Sequence, residues 1–338
     1  MKEVLVGMSG GVDSTAAVLL LKKQGYKVSG LTLWLCGSEK NAEEAGALAE
    51  SLSISHAVLD MREAFYEKVQ IPFKNAYLSG KTPNPCVNCN TEIKFAALRE
   101  YASSHGIPYI ATGHYAKIKE ENGKHLFCRG VDEKKDQTYF LSQVPSSILP
   151  FLLLPLGDYT KEEVRAIAGD ASLSVSKKAD SQEICFIPDN DYIVFLESAF
   201  SIPKSEGKIL DENGYMVGIH SGIHRYTVGQ RKGLGAFGRK VFVTGIDAEK
   251  NTVSIGANEA LFSKGLFAEN LNLFDTPDGE VFVKVRSAAP LTMAECKVEG
   301  GRAHITFKEP QRAVTPGQTV AIYKNNLLVG GGTIVSSL

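Results

Sequence analysis

The first half of the chain alternates between short apolar runs and amphipathic runs, and this alternation limits the fold more than any other feature. The apolar runs have the Val- and Leu-rich composition of buried strands and cover 2–8, 27–33, 56–60 and 109–114. Helical patterns cover 15–24, 41–52, 91–105 and, after a Thr160 cap with Glu163 three residues on, 159–168. Strands joined by helices in this order form right-handed crossovers, so the sequence predicts an α/β, doubly wound parallel sheet.

The pattern changes near residue 200, where short alternating segments separated by glycines replace the helices. Asn213-Gly214 lies between two such segments and predicts a β-hairpin. The same pattern continues to the C-terminus. The sequence therefore predicts three domains: an α/β catalytic domain over 1–200, a central small β domain over 201–265 and a C-terminal β-barrel domain over 266–338.

Composition excludes some classes of protein. Of the 338 residues, 43% are hydrophobic and 22% are charged, which is typical of a globular protein. No apolar run reaches the roughly 18 residues of a membrane span, and the N-terminus enters a strand pattern directly. We therefore expect a cytoplasmic protein with no membrane partner. The formal net charge of −1 gives no support to nucleic-acid binding through bulk charge, although local basic patches remain possible.

The segment SGGVDS, residues 9–14, joins the first predicted strand to the first predicted helix. At this position an α/β sheet presents the free N–H groups of a helix N-terminus, which bind phosphate. Two glycines let the backbone approach an oxyanion closely. Asp13 suits a phosphate site if it holds Mg²⁺. The segment is neither a Walker A loop nor the dinucleotide fingerprint, and the alternative is a plain capped turn.

The cysteines allow several kinds of chemistry. Six of them are scattered over the chain, at 36, 86, 89, 128, 185 and 296. In a reducing compartment this favours metal binding, catalysis or simple burial over a disulfide scaffold. Cys86 and Cys89 form a C-x-x-C, but a closed zinc site usually needs a second such pair, which the sequence lacks. Local sequence indicates that the other four cysteines are buried.

Longer motifs carry a resemblance to a known family. SGGVDS at the end of a strand resembles the PP-loop of the ATP pyrophosphatases, which cleave ATP to AMP and pyrophosphate. Six further blocks follow in chain order: TPNPCVNCNTEIKF, ATGHYA, KDQTYFL, DSQEICFI, YTVGQRKGLG and QRAVTPGQ. Together they resemble the tRNA-specific 2-thiouridylase family over nearly the whole chain. The resemblance implies ATP-dependent thiolation of C2 of the wobble uridine in tRNAs for Glu, Gln and Lys, by a PP-loop domain and two β domains.

The resemblance also implies site residues. It places the ATP site, with Mg²⁺, on Gly7, Met8, Ser9, Gly10, Gly11, Val12, Asp13, Ser14, Leu33 and Gly113. It places tRNA contacts on Asn84, Pro85, Cys86, His114, Lys135, Asp136, Gln137 and Gln318, with Arg286 as a weaker match. Without the family, Leu33 would be interpreted as a core residue and Gly113 as a turn glycine.

The family's catalytic cysteines fall on Cys89, the nucleophile, and Cys185, the persulfide carrier. The persulfide sulfur on Cys185 attacks the adenylated C2. Cys89 then forms a disulfide with Cys185 and releases thiouridine. A cysteine desulfurase or sulfur-relay protein would supply the sulfur. We expect Cys89 at the N-terminus of the helix over 91–105, where the helix dipole lowers the thiol pKa.

Cys86 stands where many relatives have Asp. If the fold brings it to Cys89 and Cys185, the three thiolates could hold a [4Fe–4S] cluster whose free iron binds hydrosulfide. Persulfide relay and cluster-bound sulfide therefore both remain open. Two other functions also remain: another PP-loop ATP pyrophosphatase, and a non-enzymatic RNA-binding module. The sequence does not specify an oligomeric state.

Overall fold

The computed structural model describes residues 2–170 and 184–338. No helix in these ranges is both long and apolar enough to cross a membrane. The strands are β1 (Glu3–Gly7), β2 (Lys27–Trp34), β3 (Ser55–Asp60), β4 (Tyr109–Ala111), β5 (Ala116–Glu121), β6 (Lys124–Arg129), β7 (Leu152–Leu153), β8 (Gly207–Leu210), β9 (Met216–His220), β10 (Phe242–Asp247), β11 (Thr252–Gly256), β12 (Phe262–Leu273), β13 (Gly279–Lys284), β14 (Thr292–Glu299), β15 (Arg302–Arg312), β16 (Thr319–Lys324) and β17 (Leu327–Ser337).

The α-helices within the same ranges are α1 (Val12–Lys23), α2 (Lys40–Ser51), α3 (Arg62–Phe65), α4 (Ile71–Leu78), α5 (Pro85–Cys89), α6 (Phe95–Ser104), α7 (Thr138–Leu141), α8 (Lys161–Asp170) and α9 (Tyr192–Ala199). Two π-helical turns lie at Tyr66–Gln70 and Asn90–Lys94. The predicted Thr160 cap is present, because Glu163 accepts from the Thr160 N–H at 2.7 Å and donates its own N–H to Thr160 Oγ1 at 3.3 Å.

Five parallel strands form the first sheet, in the order β3-β2-β1-β4-β7. The central strand β1 buries both of its faces. Val4 and Val6 pack into one hydrophobic cluster, whereas Leu5 packs into another on the opposite side. Burial on both faces explains the continuous apolar run of this strand. The predicted α/β, doubly wound sheet is confirmed.

The helix predicted over 91–105 begins earlier than expected. Helix α5 starts at Pro85, and the chain stays helical through the π-helical turn into α6. Asn84 is the N-cap, since its side chain accepts the N–H of Val87 at 3.4 Å. Proline suits the first helical position because its missing N–H has no intrahelical partner there. Cys89 therefore lies one turn inside a helical segment, and the expectation that it starts the helix is wrong.

The second sheet has four strands in the order β10-β11-β8-β9. The predicted hairpin at Asn213-Gly214 joins β8 to β9. The carboxylate of Asp211 accepts the N–H groups of Asn213 and Tyr215, both at 2.9 Å, and Gly214 adopts a φ of +81° that favours glycine. The sequence signal for this turn thus has a local physical cause.

The third sheet closes into a barrel of six strands, in the order β12-β15-β14-β13-β16-β17 with β12 also paired to β17. The hairpin β5–β6, from the first half of the chain, extends this sheet through β17. Phe127 of the hairpin packs in one core with Tyr323 and Leu328 of the barrel. The α/β part and the barrel therefore share a hydrophobic core, an arrangement that no local pattern in the sequence indicates.

Candidate active site

The turn after β1 is a preformed phosphate cradle. Gly10 adopts a φ of +69°, which glycine tolerates without strain, and Gly11 precedes the first turn of α1. Ser14 Oγ accepts the N–H of Ser9 at 3.3 Å and donates to the Gly11 carbonyl at 3.1 Å. These bonds fix the loop before any ligand binds, and the first N–H groups of α1 remain available for an anion.

Asp13 lies in the first turn of α1 and is paired with a lysine that the sequence did not single out. Its Oδ1 accepts from Lys161 Nζ and from the Tyr115 hydroxyl, each at 2.7 Å. Lys161 is the first residue of α8, and its side chain is only 12% exposed. The lysine compensates the negative charge that made Asp13 unusual for a phosphate site.

Gly113 follows β4 and packs directly against the start of α1. A Cβ at this position would lie 2.8 Å from the carbonyl carbon of Asp13 and 2.9 Å from its carbonyl oxygen. Real Cβ atoms do not approach backbone so closely. Gly113 therefore lets β4 and the phosphate loop meet, which is a stronger reason for glycine than a simple turn.

A cavity of about 370 Å³ lies at this edge of the sheet, a volume in the range of small-molecule sites. The predicted ATP-site residues in its lining are Gly7, Met8, Ser9, Asp13, Ser14, Leu33 and Gly113. Leu33 is half-buried near the end of β2. The other three predicted residues lie between these lining positions: Gly10 and Gly11 form the turn, and Val12 is the first residue of α1. The structure thus brings the predicted loop, Leu33 and Gly113 together around one cavity.

Cys185 also lines this cavity and is exposed, so the expectation of burial from its local sequence is wrong. Its neighbours Phe186 and Ile187 are buried. Phe186 makes edge-to-face contacts with Phe65 and Phe73, at centroid distances of 5.5 and 5.4 Å. This aromatic anchor holds Cys185 at the cavity wall. Residues 180–183 of the DSQEICFI block lie outside the described residues.

Cys36 is the main site residue that sequence reasoning missed. It follows β2 and lines the same cavity, and its Sγ donates to the Cys185 carbonyl oxygen at 3.6 Å. Contact with the Cys36 side chain lowers the Cys185 pKa to about 7, with help from the Lys94 charge and against partial burial. The same contact, with burial, raises the pKa of Cys36 far above its usual value. Cys36 therefore keeps its proton, and Cys185 is the thiol of the pair that ionises near neutral pH.

Lys94, on the π-helical turn, is a further residue that sequence reasoning missed. It lines the cavity, and its charge helps to lower the pKa of Cys185 and partly offsets the burial that raises the pKa of Cys86 and Cys89. The signal that could have found it is its place in the block TPNPCVNCNTEIKF, five residues after Cys89. Within a helical pattern, a single lysine is usually a surface residue, so the sequence does not indicate that Lys94 belongs to the site. Only the fold places it near the thiols.

Cys89 has a different environment from the one predicted. It is 5% exposed and belongs to the core formed with Phe65, Ile93 and Phe186. Burial raises its pKa to about 12, and Lys94 offsets this only in part. The predicted lowering by a helix dipole is wrong because Cys89 is not at the helix start. Cys86 is half-buried, and burial raises its pKa as well.

The predicted cluster ligands do not form a metal site. Within residues 2–170 and 184–338, no group of three or more His, Cys, Asp or Glu side chains is placed to hold a metal ion. Cys86 and Cys89 are not among the described residues that line the cavity with Cys185. The structure therefore gives no support to a [4Fe–4S] cluster on Cys86, Cys89 and Cys185.

Two of the predicted tRNA contacts lie in the cavity wall. His114 hydrogen-bonds through Nδ1 to Thr112 Oγ1 at 2.8 Å and stacks on Phe95 at 5.7 Å. Burial, with the nearby Lys94 charge, lowers its pKa to about 3, so the ring is neutral. Gln137 lines the cavity, and its Oε1 accepts the N–H of Tyr115 at 2.9 Å.

The two residues before Gln137 belong to a structured loop. Asp136 has a side chain that is 2% exposed, and it accepts from Thr138 Oγ1 at 2.7 Å and from the Gly130 N–H at 3.3 Å. Lys135 donates its backbone N–H to Asp132. Asp136 thus shapes the loop from inside, while Lys135 is half-buried beside it.

Two other predicted tRNA contacts, Gln318 and Arg286, hydrogen-bond to segments distant in the sequence. Gln318 Nε2 donates to the carbonyl oxygens of Thr82 at 3.0 Å and Pro83 at 3.2 Å, which ties the barrel to the loop before α5. Arg286 donates through Nη2 to the Val228 carbonyl at 3.0 Å and to the Thr315 hydroxyl. Asn84 and Pro85 begin α5, next to the loop that Gln318 holds.

Comparison with known proteins gives matches along the whole chain. A family model described as the tRNA methyl transferase HUP domain matches residues 2–189. Models described as the tRNA methyl transferase PRC-barrel domain and the aminomethyltransferase beta-barrel domain match 195–257 and 263–334. A tRNA-specific 2-thiouridylase MnmA from Clostridium acetobutylicum is 45% identical over 352 residues, covering 98% of this chain and 99% of the relative.

Two further relatives carry the same name. The protein from Clostridium botulinum (strain Alaska E43) is 43% identical over 352 residues, covering 98% of each chain. The protein from Moorella thermoacetica is 45% identical over 353 residues, covering 98% of this chain and 99% of the relative. The identity extends over the α/β part, the central sheet and the barrel.

Proposed function

The chain belongs to the tRNA-specific 2-thiouridylase family, and on this premise we propose that it transfers sulfur to C2 of the wobble uridine through a cysteine persulfide. Its activity is ATP-dependent 2-thiolation of tRNA, and it is a sulfurtransferase. Sequence analysis left two other functions open, another PP-loop ATP pyrophosphatase and a non-enzymatic RNA-binding module. The family membership, at 45% identity over the full length, argues against both. Wobble uridines of the Glu, Gln and Lys tRNAs are the proposed targets.

ATP activates the uridine, because the oxygen on C2 is a poor leaving group until it becomes an adenylate. The N–H groups at the start of α1 hold the phosphates, and the Ser14–Gly11 hydrogen bond keeps that cradle in shape. Asp13 is the one acidic side chain among the described residues lining the cavity, and its carboxylate would hold Mg²⁺. When bound, the ion would neutralise phosphate charge.

The persulfide on Cys185 attacks C2 and displaces AMP. The observation that carries this proposal is the position of Cys185: it is exposed, and it shares one cavity with the phosphate loop. A pKa of about 7 makes it a good acceptor of sulfur and a good nucleophile near neutral pH. The resemblance assigns the resolving step to Cys89. No step runs through a cluster, because the described side chains supply no ligand set for one.

We propose that the tRNA enters this cavity from the side where the C-terminal barrel contacts the loop before α5. Asn84, Pro85 and Cys86 would lie beside the target base, and Gln318 holds the loop that precedes them. The base has to leave its stack to enter the cavity. An exposed Cys185 also suits sulfur delivery by a protein donor, for which we propose a cysteine desulfurase or a sulfur-relay protein.

The test is thiolation by an iron-free sample. Protein purified anaerobically, with its iron content measured, receives ATP, Mg²⁺, unmodified tRNA and a persulfide donor. Thiouridine and AMP should form in equal amounts. Cys185→Ser should abolish thiouridine, while Cys296→Ala, a buried barrel cysteine, should retain activity. Activity that requires added iron and sulfide would overturn the persulfide route, and inactivity of every sample would overturn the enzyme assignment.

A further inference from the structure

Trp34 is the one tryptophan of the chain, and it lies in the wall of the active-site cavity. Neither the motifs nor the proposed function assigns it a role. It is the last residue of β2 and follows Leu33, which the family resemblance places in the ATP site. The described lining contains no Phe or Tyr, and its other ring, that of His114, is already stacked on Phe95. Trp34 is therefore the one large aromatic side chain of this described wall.

One face of the Trp34 ring is covered by the side chain of Arg62. The guanidinium carbon lies 3.6 Å from the ring centroid, which is a close cation–π contact. Asp60 holds the arginine there, since Arg62 Nε donates to Oδ1 at 2.9 Å and Nη2 donates to Oδ2 at 2.6 Å. Arg62 is not among the described residues that line the cavity, so it covers the ring from the side away from the cavity.

Two further contacts fix the position of Trp34 before a ligand binds. Its indole Nε1 donates to the carbonyl oxygen of Gly37 at 3.3 Å, and its own carbonyl oxygen accepts the N–H of Met61 at 3.0 Å. In the register of the sheet Trp34 pairs with Asp60, the residue that holds Arg62. The indole is thus a preorganised flat surface, with its edge tethered and one face backed by a cation.

The position of Trp34 along β2 suits the base of a nucleotide whose phosphates lie in the loop after β1. Leu31 pairs with Gly7, the last residue of β1, and its carbonyl oxygen accepts the N–H of Met8 at 2.8 Å. Trp34 is three residues farther along β2, roughly 10 Å at the rise of a β-strand. A ribose separates the base of a nucleotide from its phosphates, so phosphates in the loop would put the base near the end of β2.

We propose that Trp34 stacks on the adenine of ATP with its uncovered face, and that the Arg62–Asp60 pair holds the indole in place for this contact. The inference rests on the ATP-dependent reaction proposed above and names the residue that binds the base of its nucleotide. Stacking contributes affinity through the base and does not involve the phosphates. Trp34 therefore acts in ATP binding and not in the sulfur-transfer step.

Calorimetry with two ligands separates the contribution of the base from that of the phosphates. The full chain is titrated with Mg²⁺–ATP and, separately, with Mg²⁺–tripolyphosphate, which has no base. Trp34→Leu removes the ring and keeps an apolar side chain, whereas Trp34→Phe keeps a smaller ring. Tyr215→Leu, at an exposed aromatic residue of the β8–β9 hairpin, is the matched control.

We expect Trp34→Leu to bind ATP about tenfold more weakly, as for the loss of one base–aromatic stack. Its affinity for tripolyphosphate should not change. Trp34→Phe should recover most of the ATP affinity, and Tyr215→Leu should match the wild type with both ligands. In steady-state thiolation the KM for ATP should rise about tenfold in Trp34→Leu while kcat stays constant, because the stack is equally strong in the ground state and the transition state.

The wild type provides an independent readout because its tryptophan fluorescence comes from Trp34 alone. With excitation at the red edge of the indole band, ATP should quench this fluorescence saturably and tripolyphosphate should leave it unchanged. Arg62→Ala should weaken ATP binding about threefold, since the ring loses the cation behind it. Arg302→Ala is the matched control, because Arg302 stacks on Phe267 of the barrel at 4.9 Å, and it should bind ATP as the wild type does.

Equal ATP affinity in Trp34→Leu and the wild type would overturn the inference. Equal losses for ATP and tripolyphosphate would also overturn it, because Trp34 would then only support the shape of the cavity. If Trp34→Leu does not fold, the wild-type fluorescence decides alone, and ATP binding without quenching would exclude the stack. A wild type that binds ATP with quenching but does not thiolate tRNA would overturn the proposed function and leave this inference intact.

Discussion

Lys161 Nζ lies 2.7 Å from Oδ1 of Asp13, so a cation from α8 neutralises a carboxylate at the entrance to the phosphate loop. The two residues are 148 positions apart. Without the lysine, an anionic Asp13 would face the incoming phosphates of ATP. The ion pair therefore reduces the negative charge that incoming phosphates meet, and it also joins α1 to α8.

We predict that Lys161→Met weakens ATP binding about tenfold, which corresponds to about 1.4 kcal/mol. The reason is that the site then loses one cation, so the charges of Asp13 and of the phosphates are offset less completely even with Mg²⁺ bound. Titration calorimetry with ATP and Mg²⁺ measures the effect. Lys117→Met is the matched control, because Lys117 pairs with the exposed Asp158 at 2.9 Å, away from the loop. Equal affinities for the wild type and Lys161→Met would show that the pair is only structural.

Lys94→Met should slow alkylation of Cys185. The Cys185 pKa of about 7 makes roughly half of this thiol anionic at pH 7, and the thiolate fraction rises as pH increases. Removing the lysine charge raises the pKa. A rise of one unit would leave roughly a tenth as thiolate, so iodoacetamide at pH 7 should react about fivefold more slowly.

The readout for Lys94 is peptide mass spectrometry of Cys185 over a range of pH. Lys94→Arg keeps the charge and should retain the wild-type profile, and Lys68→Met, an exposed lysine, controls for loss of a surface cation. An unchanged pH profile in Lys94→Met would exclude the electrostatic role.

Gly113→Ala should destabilise the protein by about 1–3 kcal/mol, because the new Cβ would lie 2.8 Å from the Asp13 backbone. ATP binding should weaken in parallel, since the start of α1 has to move. Gly46→Ala is the matched control. Gly46 lies inside α2, its nearest neighbour would be 3.7 Å away, and alanine there should stabilise the helix by roughly 0.5–1 kcal/mol. Thermal unfolding compares the two, and a stable Gly113→Ala would contradict the close approach.

Gln318→Leu tests whether Gln318 supports the protein or only contacts tRNA. Its amide donates to the carbonyl oxygens of Thr82 and Pro83, so leucine should lower stability by about 1–3 kcal/mol. The loop before α5 should loosen, and thiolation should fall while ATP affinity stays constant. Thermal unfolding and calorimetry measure the two effects. Full stability with weaker tRNA binding would favour a direct contact instead.

The sequence by itself determined the parallel sheet, the phosphate loop and the hairpin at Asn213-Gly214. These features depend on local causes: apolar runs buried on both faces, glycines at special backbone angles, and an Asp side chain that bonds its own turn. The sequence also contains, in a fixed order along the chain, the motifs that identify the family. Such signals lie within a few residues of each other, so they can be seen without the fold.

The tertiary structure alone decided which side chains meet. Cys36 contacts a residue 149 positions away, Lys161 contacts Asp13 across the chain, and the β5–β6 hairpin joins a barrel formed by the C-terminal strands. It also overturned two expectations: Cys89 is buried one turn inside a helical segment instead of starting it, and Cys185 is exposed instead of buried. The physical reason is that burial and charge compensation depend on neighbours from distant segments, and thiol reactivity follows from those neighbours rather than from the residues on either side.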